Sequence, residues 1–184
     1  MSDTQFFGYG SLVNHATHGY DNVRPARLRG WRRRWVSTAL RPLAYLSVEP
    51  APVDIAGLVA EVPGGDWAAL DAREAAYDKH PVTVELHACG SDAAARVYVV
   101  SPEHTAPPDI AHPVLLSYID TVVQGFLEVF GEAGAADFFA TTVGWHCPIT
   151  DDRAAPRYPR ATALSPAERA FVDRHLEHVT SLRA

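Results

Sequence analysis

Short stretches of alternating or wholly apolar residues fill the first hundred positions, and they limit the fold more than any other feature of the chain. Stretches of this kind, bounded by glycine, proline or aspartate, are typical of β-strands. Residues 54–62 are apolar along nearly their whole length, which predicts a central strand. Pro50 and Pro52 separate this strand from the one before it. The predicted strands are residues 4–7, 26–37, 43–49, 54–62, 82–89 and 95–101.

Helical patterns dominate the second half of the chain. Residues 114–130 predict the longest helix, because apolar residues recur there at three- and four-residue spacing: Leu115, Tyr118 or Ile119, Val122, Phe126 and Phe130. Shorter helices are predicted at residues 67–78 and 135–141, and a terminal helix after Ser165. That last helix begins with a capping-box pattern and a proline at its first position. Residues 151–160 are predicted to be an irregular loop.

Charge and cysteine content narrow the range of functions. A net charge of −6 argues against nucleic acid as a partner. Cys89 and Cys147 lie far apart in the sequence without a C-x-x-C pair, so a disulfide framework is not expected. A reducing cytoplasm is therefore the expected location. The N-terminus lacks the pattern of a signal peptide, and no apolar run is long enough to span a bilayer, so no membrane partner is expected.

A pair of glycines follows the first predicted strand. We call residues 7–12, Phe-Gly-Tyr-Gly-Ser-Leu, the glycine loop. Glycines at alternate positions allow a tight turn and a close approach of a ligand to the backbone, and successive N–H groups in such a turn can bind an anion. The alternative is an ordinary β-turn. The loop lacks the third glycine of a dinucleotide site and the Lys-Ser/Thr of a phosphate loop, so a small carboxylate ligand fits it better than a nucleotide.

A carboxylate lies on the apolar face of the helix predicted at residues 67–78. Trp67, Leu70, Glu74 and Tyr77 share this face, whereas Asp71 and Arg73 are predicted at its sides, where they can face water. A carboxylate directed at a core is costly unless it is paired, protonated or in a pocket. Glu74 is therefore a candidate functional residue. The alternatives are an ion pair with an arginine of the basic strand and an exposed helix end.

The basic strand at residues 26–37 is part of a segment with seven arginines between Arg24 and Arg41. Alternation places Trp31, Arg33 and Trp35 on one face, and Arg32, Arg34 and Val36 on the other. Basic strands with tryptophans can bind single-stranded nucleic acids. The preferred interpretation is structural: arginine stems cover apolar surface and their guanidinium groups pair with Asp and Glu.

Together, the glycine loop and the segment Leu70-Asp71-Ala72-Arg73-Glu74-Ala75-Ala76-Tyr77 resemble the γ-glutamylcyclotransferase-like superfamily. The second segment is similar to that of ChaC-like members, with Ala76 where glycine is usual. Tyr118, which follows a proline-containing loop, is similar to a ligand-contacting tyrosine of the family. The resemblance covers about residues 5–130 and assigns no role to residues 141–164.

The resemblance implies an α+β fold: a small mixed β-barrel with helices packed around it, as a single domain over residues 1–184. It also implies an enzyme that cyclises a γ-glutamyl amide to 5-oxoproline without a cofactor. Glu74 would be the general acid/base. Backbone N–H groups of Tyr9, Gly10, Ser11 and Leu12 would bind the substrate, and the Tyr118 hydroxyl would position it.

The expected partner is a small γ-glutamyl compound, with a homodimer left open. The leaving group also stays open: it could come from glutathione, a γ-glutamyl amino acid or a γ-glutamylated amine. Candidates to contact it are the arginines of residues 24–41 and the loop at residues 151–160. A cationic rim there would favour a leaving group with its own carboxylate, such as an amino acid or dipeptide, because arginine binds carboxylates through two hydrogen bonds. Equal rates for a γ-glutamyl amino acid and its decarboxylated analogue, or a preference for the decarboxylated amine, would instead indicate a γ-glutamylamine substrate.

Three other functions have some support in the sequence. Nucleophilic catalysis by Ser11 is disfavoured because Val13 stands where a nucleophile elbow needs glycine. Metal binding by His15 with His18, or by His175 with His178, is disfavoured because no third ligand is near in sequence, so no metal is expected. The main alternative is a non-catalytic module that binds a small acidic metabolite on the same fold.

Overall fold

A computed structural model describes residues 4–107 and 110–181 of the chain. Its strands are β1 (Gln5–Gly8), β2 (Arg24–Ser37), β3 (Ala44–Glu61), β4 (Tyr77–Leu86), β5 (Asp92–Val100), β6 (Val114–Leu115), β7 (Thr142–Val143) and β8 (Ile149–Thr150). The α-helices are α1 (Ala68–Arg73), α2 (Leu116–Ala140) and α3 (Pro166–Ser181). Within these described residues, no helix combines the length and apolarity needed to cross a membrane.

Five strands close into a barrel. The sheet runs β3-β1-β5-β4-β2, and a further pairing of β2 with β3 joins its two ends. The β1–β5 pairing is parallel and the other pairings around the barrel are antiparallel, so the barrel is mixed. Closure removes the exposed edges that an open sheet would present. The fold class predicted from the resemblance, an α+β barrel with helices packed around it, is confirmed.

Strand β3 is longer than the sequence predicted. The expected strands at residues 43–49 and 54–62 form one continuous strand, because both pair with β2. The register shifts between Arg29, which pairs with Asp54, and Trp31, which pairs with Pro50. Gly30 lies at the shift with φ +75°. This irregular position accommodates prolines, which cannot donate a ladder hydrogen bond, so β3 continues through both prolines.

Helix α1 is shorter than predicted. It ends at Arg73, and Glu74 follows it with a non-helical backbone (φ −101°, ψ 29°). Tyr77 is the first residue of β4, which pairs with β5 from Tyr77 opposite Val100 onward. Strand pairing therefore overrides the helical pattern in residues 74–78. The N–H of Glu74 still donates to the carbonyl of Leu70 at 2.9 Å, which keeps Glu74 in the last turn.

The helices after the barrel follow the predicted patterns with shifted ends. Residues 114 and 115 form β6, which pairs with β8, so α2 begins at Leu116. Gly131, with φ +67°, breaks α2 between the helices predicted at residues 114–130 and 135–141. The capping box of α3 is present: the N–H of Ser165 donates to Glu168 Oε2 at 2.6 Å, and the N–H of Glu168 donates to Ser165 Oγ at 3.3 Å.

The arginines of β2 divide between two environments, as alternation along the strand predicts. Arg32 and Arg34 both pair with Glu49 at 2.6 Å on the outer face. Arg33 is 0% exposed. Its Nε donates to the Tyr9 carbonyl at 2.9 Å, its Nη1 to Thr141 Oγ1 at 2.8 Å, and its Nη2 to the Ala56 carbonyl. Burial lowers the pKa of Arg33 to about 9, which leaves the guanidinium charged at neutral pH.

Replacing Arg33 with Met is expected to lower the free energy of unfolding by about 2–4 kcal/mol, because buried acceptors lose their donors. The measurement is urea denaturation. Arg34→Met is the matched control on the opposite face, where loss of an exposed ion pair should cost less than about 1 kcal/mol. Equal stabilities for the two variants would show that Arg33 does not hold the barrel and the glycine loop together.

Candidate active site

A cavity of about 550 Å³ opens beside one end of the barrel, and a smaller recess of about 40 Å³ continues from it. The recess is bordered by all six residues of the glycine loop. The cavity extends from there past the end of α1 to residues 157–160. Residues that line both spaces mark their junction, and these are Ser11, Leu46, Glu74, Tyr77 and Tyr118.

The side chain of Glu74 lies at this junction and is 15% exposed. Burial raises the pKa of the Glu74 carboxyl, and the positive charges of Arg73 and Arg160 oppose this increase. Arg73 Nε lies 3.2 Å from Glu74 Oε1. The partner is thus the neighbouring residue and not an arginine of the basic strand, so both of the structural alternatives for Glu74 were wrong.

Arg73 was predicted to face water, and this was wrong. Its side chain is only 10% exposed. It donates to the carbonyl of Thr17 at 3.0 Å and to Ser11 Oγ at 3.4 Å, because the loop after β1 packs over the end of α1. Arg73 therefore connects the glycine loop to Glu74, a contact between segments about sixty residues apart that no local pattern could reveal.

Tyr9 and Gly10 shape the glycine loop. The Tyr9 side chain is buried, and its hydroxyl donates to the carbonyl of Tyr98 at 2.6 Å. Gly10 precedes a 3-10 helix at Ser11–Val13, whose first backbone bond runs from the N–H of Val13 to the carbonyl of Gly10 at 2.9 Å. The N–H groups of Ser11 and Leu12 precede this first bond and have no acceptor inside the helix.

Tyr118 projects from α2 to the glycine loop. Burial raises the pKa of the Tyr118 phenol well above its ordinary range, and its polar contact with Ser11 opposes this increase. Tyr118 is thus a neutral hydroxyl at the junction of cavity and recess. Its ring meets that of Tyr158 edge to face, with centroids 5.0 Å apart. A Cβ on Gly10 would lie 2.8 Å from the Tyr118 hydroxyl oxygen, so this loop position requires glycine.

Two further tyrosines border the recess and were not recognised as site residues from the sequence. The Tyr77 hydroxyl donates to the carbonyl of Leu46 at 3.1 Å, and the Tyr98 hydroxyl donates to Asp71 Oδ1 at 2.5 Å. Tyr98 was assigned only to a predicted strand. Alternation shows that strand residues have two faces but does not show which face meets the cavity, so the sequence carried no signal for it.

The cavity, but not the recess, is lined by Arg41, Arg157 and Arg160. Of the seven arginines in the basic segment, Arg41 alone is among its lining residues. The loop at residues 151–160 was the other segment predicted to contact the leaving group, and its residues 157–160 also line the cavity. Local patterns did not distinguish which of these arginines would line it.

The structure offers no assembled metal site in residues 4–107 and 110–181. Nowhere in these ranges do His, Cys, Asp and Glu gather in a group of three or more suited to a metal ion. The rings of His15 and His18 are 5.8 Å apart, and His18 Nε2 lies 3.0 Å from the carbonyl of Leu12, so this histidine contacts the glycine loop.

Comparison with known proteins identifies both the family and the fold. Residues 6–114 match the family described as "Gamma-glutamyl cyclotransferase, AIG2-like". A solved structure of a "Gamma-glutamyl cyclotransferase" is similar with a TM-score of 0.60 and 15% identity, covering 94% of this chain and 99% of that chain. YkqA from Bacillus subtilis is similar with a TM-score of 0.57 and 18% identity, covering 78% of this chain and 57% of YkqA. No curated protein matches the sequence at a significant level.

The family match includes the glycine loop and Glu74 but ends before Tyr118 and the loop at residues 151–160. At 15% and 18% identity the two solved structures establish a shared fold.

Proposed function

Because the chain belongs to the gamma-glutamyl cyclotransferase, AIG2-like family, we propose that it cyclises a γ-glutamyl amide to 5-oxoproline and releases an amine. The observation that carries this proposal is the buried carboxylate of Glu74, at the junction of a recess bordered by the glycine loop and a larger cavity. The recess takes the γ-glutamyl group, and the cavity takes the leaving group.

The reaction requires the attacking nitrogen to lose two protons, because it begins as an ammonium group and ends as the single N–H of a lactam. The α-amine of the substrate has an ordinary pKa of about 8, so it is mostly protonated at neutral pH and must lose a proton before it attacks. The Glu74 carboxylate accepts that proton. The amine nitrogen then forms a bond to the γ-carbonyl carbon, Glu74 returns the proton to the amide nitrogen, and the original C–N bond breaks. The ring nitrogen gives up a second proton, which the released amine takes up, so the products are 5-oxoproline with one N–H and an ammonium ion.

The remaining residues at the junction bind and orient the substrate. Backbone N–H groups of Tyr9, Gly10, Ser11 and Leu12 bind its α-carboxylate or the oxyanion that develops on the γ-carbonyl. The Tyr118 phenol, which burial keeps neutral, donates a hydrogen bond to the bound γ-glutamyl group. Because ring closure is intramolecular, holding the chain in a cyclisable shape supplies a large part of the rate acceleration.

The test is release of 5-oxoproline from a panel of γ-glutamyl compounds: glutathione, γ-glutamyl amino acids and γ-glutamylamines. We expect at least one to be turned over. The matching α-glutamyl dipeptides are the control, because they contain no γ-amide to be cleaved. A protein that binds γ-glutamyl compounds but releases no 5-oxoproline from the panel would be a binding module instead.

The pH dependence of turnover should report the raised pKa of Glu74. The base must be ionised, so kcat/KM should fall as pH decreases through the pKa of Glu74 in the free enzyme. Burial raises this pKa, so the fall should begin above the ordinary glutamate range of about 4.3. The measurement is kcat/KM from pH 4 to 9 at constant ionic strength. A profile that stays flat down to an ordinary glutamate pKa would contradict a buried base.

A further inference from the structure

The C-terminal loop at residues 151–160 is fixed at the cavity by its own contacts. Asp152 is buried, and its two carboxylate oxygens accept from the N–H of Ser117 at 2.8 Å and from Ser117 Oγ at 2.6 Å. The N–H of Arg157 donates to Asp152 Oδ2 at 2.9 Å. Asp152 therefore connects the start of α2 to the backbone of Arg157 in the loop.

A second anchor lies beside the first. Arg153 donates from Nε and Nη2 to the two oxygens of Asp120 on α2, at 2.7 and 2.8 Å. Its Nη1 donates to Asp173 on α3 at 2.7 Å. This fork geometry joins the loop to two helices with charge-assisted hydrogen bonds. The ring contact between Tyr158 and Tyr118 then connects the loop to the candidate active site.

Two arginines of the loop, both exposed, line the cavity, and their side chains take no part in the two anchors. These are Arg157 and Arg160, and neither forms an ion pair with an acid in the part of the chain that the structure describes. Arg153, in the same loop, is by contrast fully engaged by Asp120 and Asp173. The positive charge of Arg160 also acts on Glu74, whose pKa it lowers, so Arg160 lies within electrostatic reach of the junction.

We infer, on the basis of the proposed function, that residues 151–160 select the leaving group, with Arg157 and Arg160 binding a carboxylate that it carries. Arginine binds carboxylates through two parallel hydrogen bonds, which gives direction as well as attraction. The recess, at about 40 Å³, is far smaller than the cavity of about 550 Å³, so the part of the substrate beyond the scissile amide lies in the cavity. This loop lies outside the family match, which ends at residue 114.

The experiment compares γ-glutamyl-alanine with γ-glutamyl-alaninamide, which differ in the carboxylate alone. We expect kcat/KM for 5-oxoproline release to favour the acid by about tenfold, the scale of a charged hydrogen bond. In the double variant Arg157→Gln/Arg160→Gln the ratio of the two kcat/KM values should fall towards one. The charge of Arg160 also lowers the pKa of Glu74, but this changes kcat/KM equally for both compounds and therefore does not change their ratio.

Arg27→Gln/Arg169→Gln is the matched control. It removes the same charge from exposed positions that do not line the cavity, and it should leave the ratio unchanged. Asp152→Asn keeps both arginines but disturbs their anchor, and it should lower the ratio as well.

Turnover of both compounds with a wild-type ratio near one would overturn this inference and leave the proposed reaction intact. If the ratio of the two kcat/KM values falls equally in the control variant, the preference for the acid is an effect of net charge. That result also overturns the inference. If neither compound nor any other γ-glutamyl compound releases 5-oxoproline, the proposed reaction itself fails, and the inference fails with it.

Discussion

Replacing Glu74 with Gln is expected to lower kcat by at least ~10²-fold, because one group supplies both the base and the acid of the proposed reaction. Glutamine retains the size of the side chain and its hydrogen-bonding atoms but cannot take up the proton. Substrate binding should persist, since the glycine loop and Tyr118 are unchanged. The measurements are single-turnover release of 5-oxoproline and calorimetric titration of the substrate.

Stability provides the control for Glu74→Gln. A carboxyl whose pKa is raised in the folded protein destabilises the fold as pH rises from the ordinary glutamate range through the raised pKa. The neutral amide does not carry this cost but loses the ion pair with Arg73, and because these two effects oppose each other the variant should melt close to wild type at neutral pH. Asp71→Asn is a matched variant from the same short helix with a more exposed carboxylate, and it should retain most of the activity. Near-native turnover by Glu74→Gln would remove Glu74 from the mechanism.

Replacing Gly10 with Val is expected to lower kcat/KM by ~10²-fold, the scale of a displacement of about 1 Å in a reacting group. A Cβ at this position would lie 2.8 Å from the Tyr118 hydroxyl oxygen and 3.1 Å from Leu46 Cδ2. Tyr118 must therefore move, and its contact with Ser11 is disturbed. The added side chain also occupies the ligand's approach to the loop backbone. The measurements are substrate titration and steady-state turnover.

Thermal denaturation separates loss of the site from loss of the fold in Gly10→Val. Overpacking costs about 1–3 kcal/mol, which should lower the melting temperature without unfolding the protein. Gly19→Val is the matched control, because a Cβ at Gly19 meets no atom within 4 Å. A Gly10→Val protein that melts early but binds normally while folded would show that Gly10 is a structural turn residue and nothing more.

Local patterns alone predicted the parts of this protein that depend on neighbours in the chain. Alternation in β2 separated buried Arg33 from Arg32 and Arg34, since side chains of a strand point to opposite faces. The capping box at Ser165 forms as predicted because all of its atoms lie within one turn. The helical face that contains Glu74 was predicted although α1 ends early, because the Glu74 N–H keeps the last helical bond.

Contacts between distant segments required the tertiary structure. Pairing with β2 extends β3 through two prolines, and pairing with β5 ends α1 before the predicted residue, because ladder bonds along whole strands outweigh local preference. The same holds at the site. Arg73 contacts Ser11 and not water, and Tyr98 borders the recess. The loop at residues 151–160 is held at the cavity by its anchors on α2 and α3. The sequence alone determined which residues could be buried or charged in each segment, and closure of the barrel decided which of them meet, because those contacts span large separations along the chain.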